Sequence, residues 1–173
     1  MYTIIGLPAG TSYKITESDY SSEGYSSSLP AEGQSGTITG GTTAKESVEV
    51  TNTLGKGSLT VEKTVAGNAA DNTRNFEFSV LFVKTGLTGN SGFYKKGTDE
   101  NIGEAQSNSI TFDENGSATV TFTLQGGEKA EFTDLPYGTT FTVSETSKDA
   151  DGYETTVSGT GCTVNAGDKT VTG

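Results

Sequence analysis

The sequence predicts an all-β fold, a β-sandwich built as a repeat. Three observations carry that prediction. Apolar residues alternate with polar ones over Phe76, Phe78, Val80 and Phe82, and again over Ala118, Val120, Phe122 and Leu124. The composition is 31% hydrophobic and 19% charged, with 24 glycines and many threonines and serines. That is the make-up of Thr-rich strands joined by Gly-rich turns, as in extracellular sandwiches. Third, no stretch has helical periodicity; 66–75 has room for one turn at most.

The chain repeats itself. Leu7-Pro8-Ala9-Gly10-Thr11 through Glu17 matches Leu135-Pro136-Tyr137-Gly138-Thr139 through Glu145, an offset of 128 (145 − 17). Gly24-Tyr25 matches Gly152-Tyr153 at the same offset. Residues 1–53 therefore read as the C-terminal part of one β-sandwich repeat, 54–57 as a linker, and 58–173 as the next repeat. In the first, strands are expected at 2–5, 12–17, 36–39 and 45–53, around a Ser/Gly-rich loop over 18–36. In the second they are expected at 58–65, 76–83, 109–112, 117–124, 129–133, 139–147, 153–158 and 162–164, with a further one beginning at 169–171. Residues 84–108 read as a Gly/Asn/Lys-rich insertion with weak strand content near Phe93-Tyr94. The expected core is Leu59, Val61, Phe76, Phe78, Val80, Val120, Phe122, Leu124, Phe132, Phe141 and Val143.

The net charge of −11 argues against nucleic acid or an anionic membrane as a partner. The sequence has no histidine and one cysteine, so no histidine-based metal site and no intrachain disulfide, and no cofactor is expected. Cys162 reads as a small, partly buried hydrophobe. No apolar run is long enough to span a membrane, and strand-like residues follow Met1 at once, so the sequence reads as an excerpt from a longer secreted chain. Leu7–Thr11 has its glycine and threonine in the wrong order for a sortase signal and reads as a turn. The acidic stretches Asp113–Gly116 and Asp149–Gly152 lack the further ligands and closing glutamate of a calcium loop, and also read as turns. No pair of carboxylates faces a cleft as a glycosidase would need.

Three strands carry an anomaly. In Leu59-Thr60-Val61-Glu62-Lys63 the apolar face is Leu59, Val61 and then Lys63. In the strand ending at Glu145 it is Phe141, Val143 and then Glu145. In the strand over 45–53 it is Val48, Val50 and then Asn52. A charged or polar group at the end of an apolar stripe is costly unless paired or consumed. An amine, a carboxyl and a carboxamide together have one well-defined chemistry. The amine attacks the carboxamide, the acid relays protons, ammonia leaves, and an isopeptide crosslink remains. An apolar site favours the neutral forms of amines and acids, and neighbouring strands supply the proximity that an unactivated amide needs. Such a reaction happens once, so the chain is expected not to be an enzyme.

The order Leu-Thr-Val-x-Lys, Leu-Pro-x-Gly-Thr before a strand ending in Glu, Gly-Tyr, and Val-x-Val-Thr-Asn resembles the isopeptide-forming, CnaB-related domains of Gram-positive pilin backbones and adhesin stalks. That resemblance implies an immunoglobulin-like sandwich, displayed outside the cell on the wall. It implies Lys63 as nucleophile, Glu145 as proton relay, Glu17 as the relay of the preceding repeat, and Asn52 as that repeat's acceptor. Implied partners are neighbouring repeats of the same protein, with other pilin subunits or a host-surface ligand besides. The alternative is a ligand-binding adhesin domain that uses the 84–108 insertion, with Phe93-Tyr94-Lys95-Lys96 as its contact cluster. Asn52 lies 35 residues after Glu17. The equivalent for Glu145 would fall near 180, past Gly173, so the second repeat is expected to lack its last strand and to leave an open edge beside 58–65.

Overall fold

The structure is a computed structural model. It describes residues 2–41, 46–68, 70–102, 105–146, 153–154, 156 and 167–172, the last segment as backbone. The chain divides into two compact units, Met1–Leu54 and Gly55–Gly173.

The second unit is a sandwich of two sheets. Its strands are β5 (Lys56–Glu62), β6 (Phe76–Val83), β7 (Gly89–Gly97), β8 (Asn108–Phe112), β9 (Ser117–Leu124), β10 (Lys129–Pro136), β11 (Thr140–Glu145) and β12 (Gly167–Thr172). One sheet has the order β12-β5-β10-β7-β8, the other β11-β6-β9. The alternation in β6 and β9 puts Phe76, Phe78, Val80, Phe82, Val120, Phe122 and Leu124 on one buried face. Leu59, Val61, Ala130 and Phe132 answer from the facing sheet. The two layers meet through ring contacts: Phe132 lies 5.2 Å from Phe82 and 5.7 Å from Phe122, centroid to centroid. All eleven residues expected in the core are buried. Burial of each phenylalanine contributes roughly 1.5–3 kcal/mol, which is why the phenylalanine-rich strands fix the sandwich.

The 84–108 stretch is not a free insertion. Its residues 89–97 form β7, which lies between β10 and β8 and pairs antiparallel with both. Few of its residues are apolar, so period 2 does not show. The strand is held by ladder bonds on both sides. β10 runs three residues past its expected end at Thr133. A register shift between Phe132 and Leu135 inserts an extra residue, with Asp134 in the left-handed region at φ 57°. The bulge lets Phe132 and Leu135, an odd number of residues apart, both face inward.

The edge beside β5 is not open. β12 pairs with β5 in parallel, from Gly167 opposite Gly57 to Thr172 opposite Glu62. Counting from Glu145 by the first repeat's spacing placed the closing strand too late. The segment between Tyr153 and β12 is shorter than its counterpart between Tyr25 and Asn52.

The first unit holds two small ladders. β1 (Ser12–Ile15) pairs antiparallel with β3 (Gln34–Thr37). β2 (Tyr25–Ser27) pairs antiparallel with β4 (Asn52–Leu54), and a 3-10 turn covers Ser21–Glu23. The strand expected over 2–5 does not form, and of the one expected over 45–53 only the end is a strand. The repeat offset explains the first absence. Tyr2 and Ile4 correspond to Ala130 and Phe132, which β5 and β7 flank on both sides. In the first unit no strand among the described residues pairs with 2–5, and Tyr2 and Ile4 stand in solvent. Val50 is likewise exposed and Val48 half-buried, against their expected inward parity. Tyr153, Glu154 and Thr156 are not in a strand. The turn at 149–152, the strand at 162–164 and Cys162 lie outside the described residues.

Candidate crosslinking site

Lys63 is the first residue past β5. Its N–H donates to the Glu128 carbonyl at 3.0 Å, and its own carbonyl accepts from Gly127 N–H at 2.9 Å. The strand's parity therefore carries on through it, and its side chain follows Leu59 and Val61 inward. Glu145 ends β11, opposite Phe78 of β6. Lys63 Nζ donates to Glu145 Oε2 at 3.0 Å, with the side chains 8% and 0% exposed. Nζ also stands 4.2 Å from the Phe76 ring centroid and 6.0 Å from that of Phe78. A cation over an aromatic face gains electrostatically, more so where water is excluded. Among the described residues Glu145 Oε1 is buried with no hydrogen-bond partner. The second unit thus brings an amine and a carboxyl together in aromatic surroundings and leaves one carboxyl oxygen vacant.

The first unit brings the other two residues together. Asn52 Nδ2 donates to Glu17 Oε1 at 2.7 Å, and Ser27 Oγ donates to the second oxygen at 2.6 Å. These bonds hold the Glu17 carboxyl below the usual range, the Ser27 bond contributing most and Asn52 next, against a smaller opposing effect of desolvation. Glu17 and Asn52 are exposed here, whereas Lys63 and Glu145 are buried. Each unit therefore holds two of the three groups: amine with acid in one, acid with carboxamide in the other. Ser27 and Phe76, which touch these groups, were not singled out from the sequence. Phe76 was legible as core, but nothing in a sequence says which core ring meets an amine.

The cluster Phe93-Tyr94-Lys95-Lys96 is mostly taken up by β7's own neighbours. Tyr94 stacks on Phe132 with centroids 5.8 Å apart. Lys95 pairs with Glu131 at 3.6 Å, and Lys96 Nζ donates to the Thr123 carbonyl at 2.9 Å. Phe93 is the exposed member. Asp113 Oδ1 accepts from the N–H groups of Asn115 and Ser117, as a turn residue does. Among the described residues no group of three His, Cys, Asp or Glu side chains could hold a metal ion.

Residues 1–54 and 57–173 match a family described as Domain of unknown function (DUF7601). The chain belongs to this family. The two matched stretches coincide closely with the two compact units, so the chain carries DUF7601 sequence on both sides of the junction. A comparison with curated proteins finds no match. Among solved structures, the major pilin protein T3.2 of Streptococcus pyogenes is 21% identical, with a TM-score of 0.62 over 96% of this chain and 68% of that one. Another major pilin of Streptococcus pyogenes is 21% identical, with a TM-score of 0.60 over 98% of this chain and 64% of that one. A pilus-presented adhesin, Cpa, is 27% identical with a TM-score of 0.46; the match covers 68% of this chain and spans only 26% of the adhesin. The DUF7601 chain thus has the all-β, immunoglobulin-like fold of streptococcal pilins. Among its described residues no helix is long and apolar enough to cross a membrane.

Proposed function

We propose that the chain is a structural module of a Gram-positive cell-surface pilus backbone or adhesin stalk, of a type closed by an autocatalytic Lys–Asn isopeptide crosslink. It works outside the cell, against neighbouring repeats and subunits, and turns over no substrate. One observation carries this reading: the buried 3.0 Å contact between Lys63 and Glu145, beside a vacant carboxyl oxygen. A pair of charges in an aromatic interior is a poor way to gain stability. As the resting state of a proton relay it has a use.

The steps follow from the atoms. One proton moves along the hydrogen bond from Nζ to Glu145, leaving a neutral amine and a neutral acid. The amine attacks the carboxamide carbon, and the acid donates a hydrogen bond to the carbonyl oxygen. The new C–N bond forms and the old one breaks; of the two protons shed by Nζ, one leaves with the carboxamide nitrogen as ammonia and one stays on Glu145. The vacant oxygen of Glu145 is where a carboxamide would bond, as Asn52 Nδ2 bonds Glu17. β12 sets Val171 and Thr172 opposite Val61 and Glu62. In the first repeat Val50-Thr51 is followed by Asn52, whereas Val171-Thr172 is followed by Gly173. Neither repeat of this sequence therefore has all three groups.

Intact-mass measurement tests the reading. The chain itself should keep its full mass. Gly173→Asn should lose one ammonia on folding, and Lys63→Ala or Glu145→Gln in that background should keep it. A folded Gly173→Asn chain that retains its ammonia sinks the crosslink.

A further inference from the structure

Ser27 of β2 and Asn52 of β4 are cross-strand partners, so one register presents both to the carboxyl of Glu17. Ser27 Oγ also accepts the N–H of Leu29 at 3.1 Å, a local bond that serines make two residues on. A hydroxyl that accepts a backbone N–H has its own proton left to donate. Its 2.6 Å contact with Glu17 is where that proton goes, in the range of a charge-assisted bond. The direction of the chain Leu29 N–H to Ser27 to Glu17 is thus set by the backbone.

We propose that Ser27 is a positioning residue: its hydroxyl fills the second oxygen of Glu17 while no amine is present, and holds the carboxyl turned onto Asn52. The inference rests on the reading of Glu17 as the relay of its repeat. The two units differ in what the carboxyl accepts. Glu145 gives one oxygen to the Lys63 amine and has the other vacant. Glu17 gives one oxygen to Asn52 and the other to Ser27. Both bonds favour the ionised carboxylate, so release of the Ser27 bond makes Glu17 a readier acceptor of a proton from an amine. The repeat offset supports a shared device. Ser27 lies 10 residues after Glu17, and Thr155 lies 10 residues after Glu145 (155 − 145), so each repeat has a hydroxyl at that spacing.

The titratable groups on the elements around Glu17 are Tyr13 and Lys14 on β1, Glu23 on the 3-10 turn and Tyr25 on β2; β4 has none. Among the described residues none of them bonds to the carboxyl, so Ser27 and Asn52 govern it.

The test uses the full 173-residue chain, isotope-labelled, followed by NMR. Two quantities are read: the titration midpoint of the Glu17 carboxyl and the hydrogen exchange of the Asn52 carboxamide. Ser27→Ala should raise the midpoint and speed the exchange several-fold. Ser27→Thr, which restores a hydroxyl on a residue suited to a strand, should return both. A midpoint unmoved by Ser27→Ala overturns the proposal, and so does a rise that Ser27→Thr leaves in place. Neither readout needs a crosslink. If Gly173→Asn keeps its ammonia while these shifts appear, the crosslink falls and the positioning role stands; the reverse pattern separates them the other way.

Discussion

Lys63 and Glu145 are 82 residues apart in the chain and 3.0 Å apart in space, with both side chains buried. Removing one partner of such a pair strands a charge in the interior and costs about 3–5 kcal/mol. Replacing both with apolar residues of similar volume is often neutral or better. Lys63→Met and Glu145→Leu should therefore each lower the urea midpoint sharply, and the double variant should recover most of the loss. If the double variant loses as much as the two singles together, the two side chains are uncoupled and the reading of a mutually compensating buried pair fails.

Phe82 is fully buried and packs edge-on against Phe132 of the facing sheet, centroids 5.2 Å apart. Phe82→Ala removes a contact between the two layers and leaves a cavity. The expected cost is about 3–5 kcal/mol by chemical denaturation. Leu81, next to it, points outward and is 41% exposed. Leu81→Ala should cost well under half as much.

Gly116 closes the turn between β8 and β9 at φ +76°, and a Cβ there would run into the Lys84 carbonyl. Its own carbonyl accepts the Lys84 N–H at 2.8 Å, so the contact is part of the turn. Gly116→Ala should destabilise the second unit by more than about 1 kcal/mol. Gly86, also at positive φ but with open space around it, should lose less on the same change.

Asp71 accepts from the hydroxyl and the N–H of Thr73, and these bonds, with a smaller pull from Arg74, hold its carboxyl below the ordinary 3.8. The sign follows from the lowered folded value. Its contribution to stability is present above the unfolded value and is lost as pH falls through the lower folded one. Urea midpoints measured from pH 6 downward should therefore show an acid-side loss that is smaller in Asp71→Asn than in the parent chain. Equal losses in the two would show that Asp71 does not contribute.

Much of the fold was legible because the second unit's core is written in period 2. A strand whose alternate residues are phenylalanine and valine has one way to bury them, so β6 and β9 begin and end where the alternation does. The parity that put Lys63 after Val61 and Glu145 after Val143 also showed that both side chains point inward. β7 was legible only as weak strand content near Phe93-Tyr94, because most of its residues are polar or glycine and its place between β10 and β8 comes from backbone bonds that leave no apolar signature.

The sequence by itself determined which side chains belong to which face, and that two stretches of the chain repeat each other. Both follow from local rules: side chains alternate along a strand, and repeated residues make repeated elements. Tertiary structure decided which of those faces found a partner. β12 closed the edge of β5 because a parallel neighbour is chosen by the loop that reaches it, and loop length is not encoded in strand parity. Likewise Val48 and Val50 have inward-facing parity, yet no second layer covers Val50, which stays exposed. Glu17 and Glu145 occupy the same place in the repeat, but only Glu145 lies under a second sheet. Burial and the amine therefore came to one carboxyl, and solvent and a serine hydroxyl to the other.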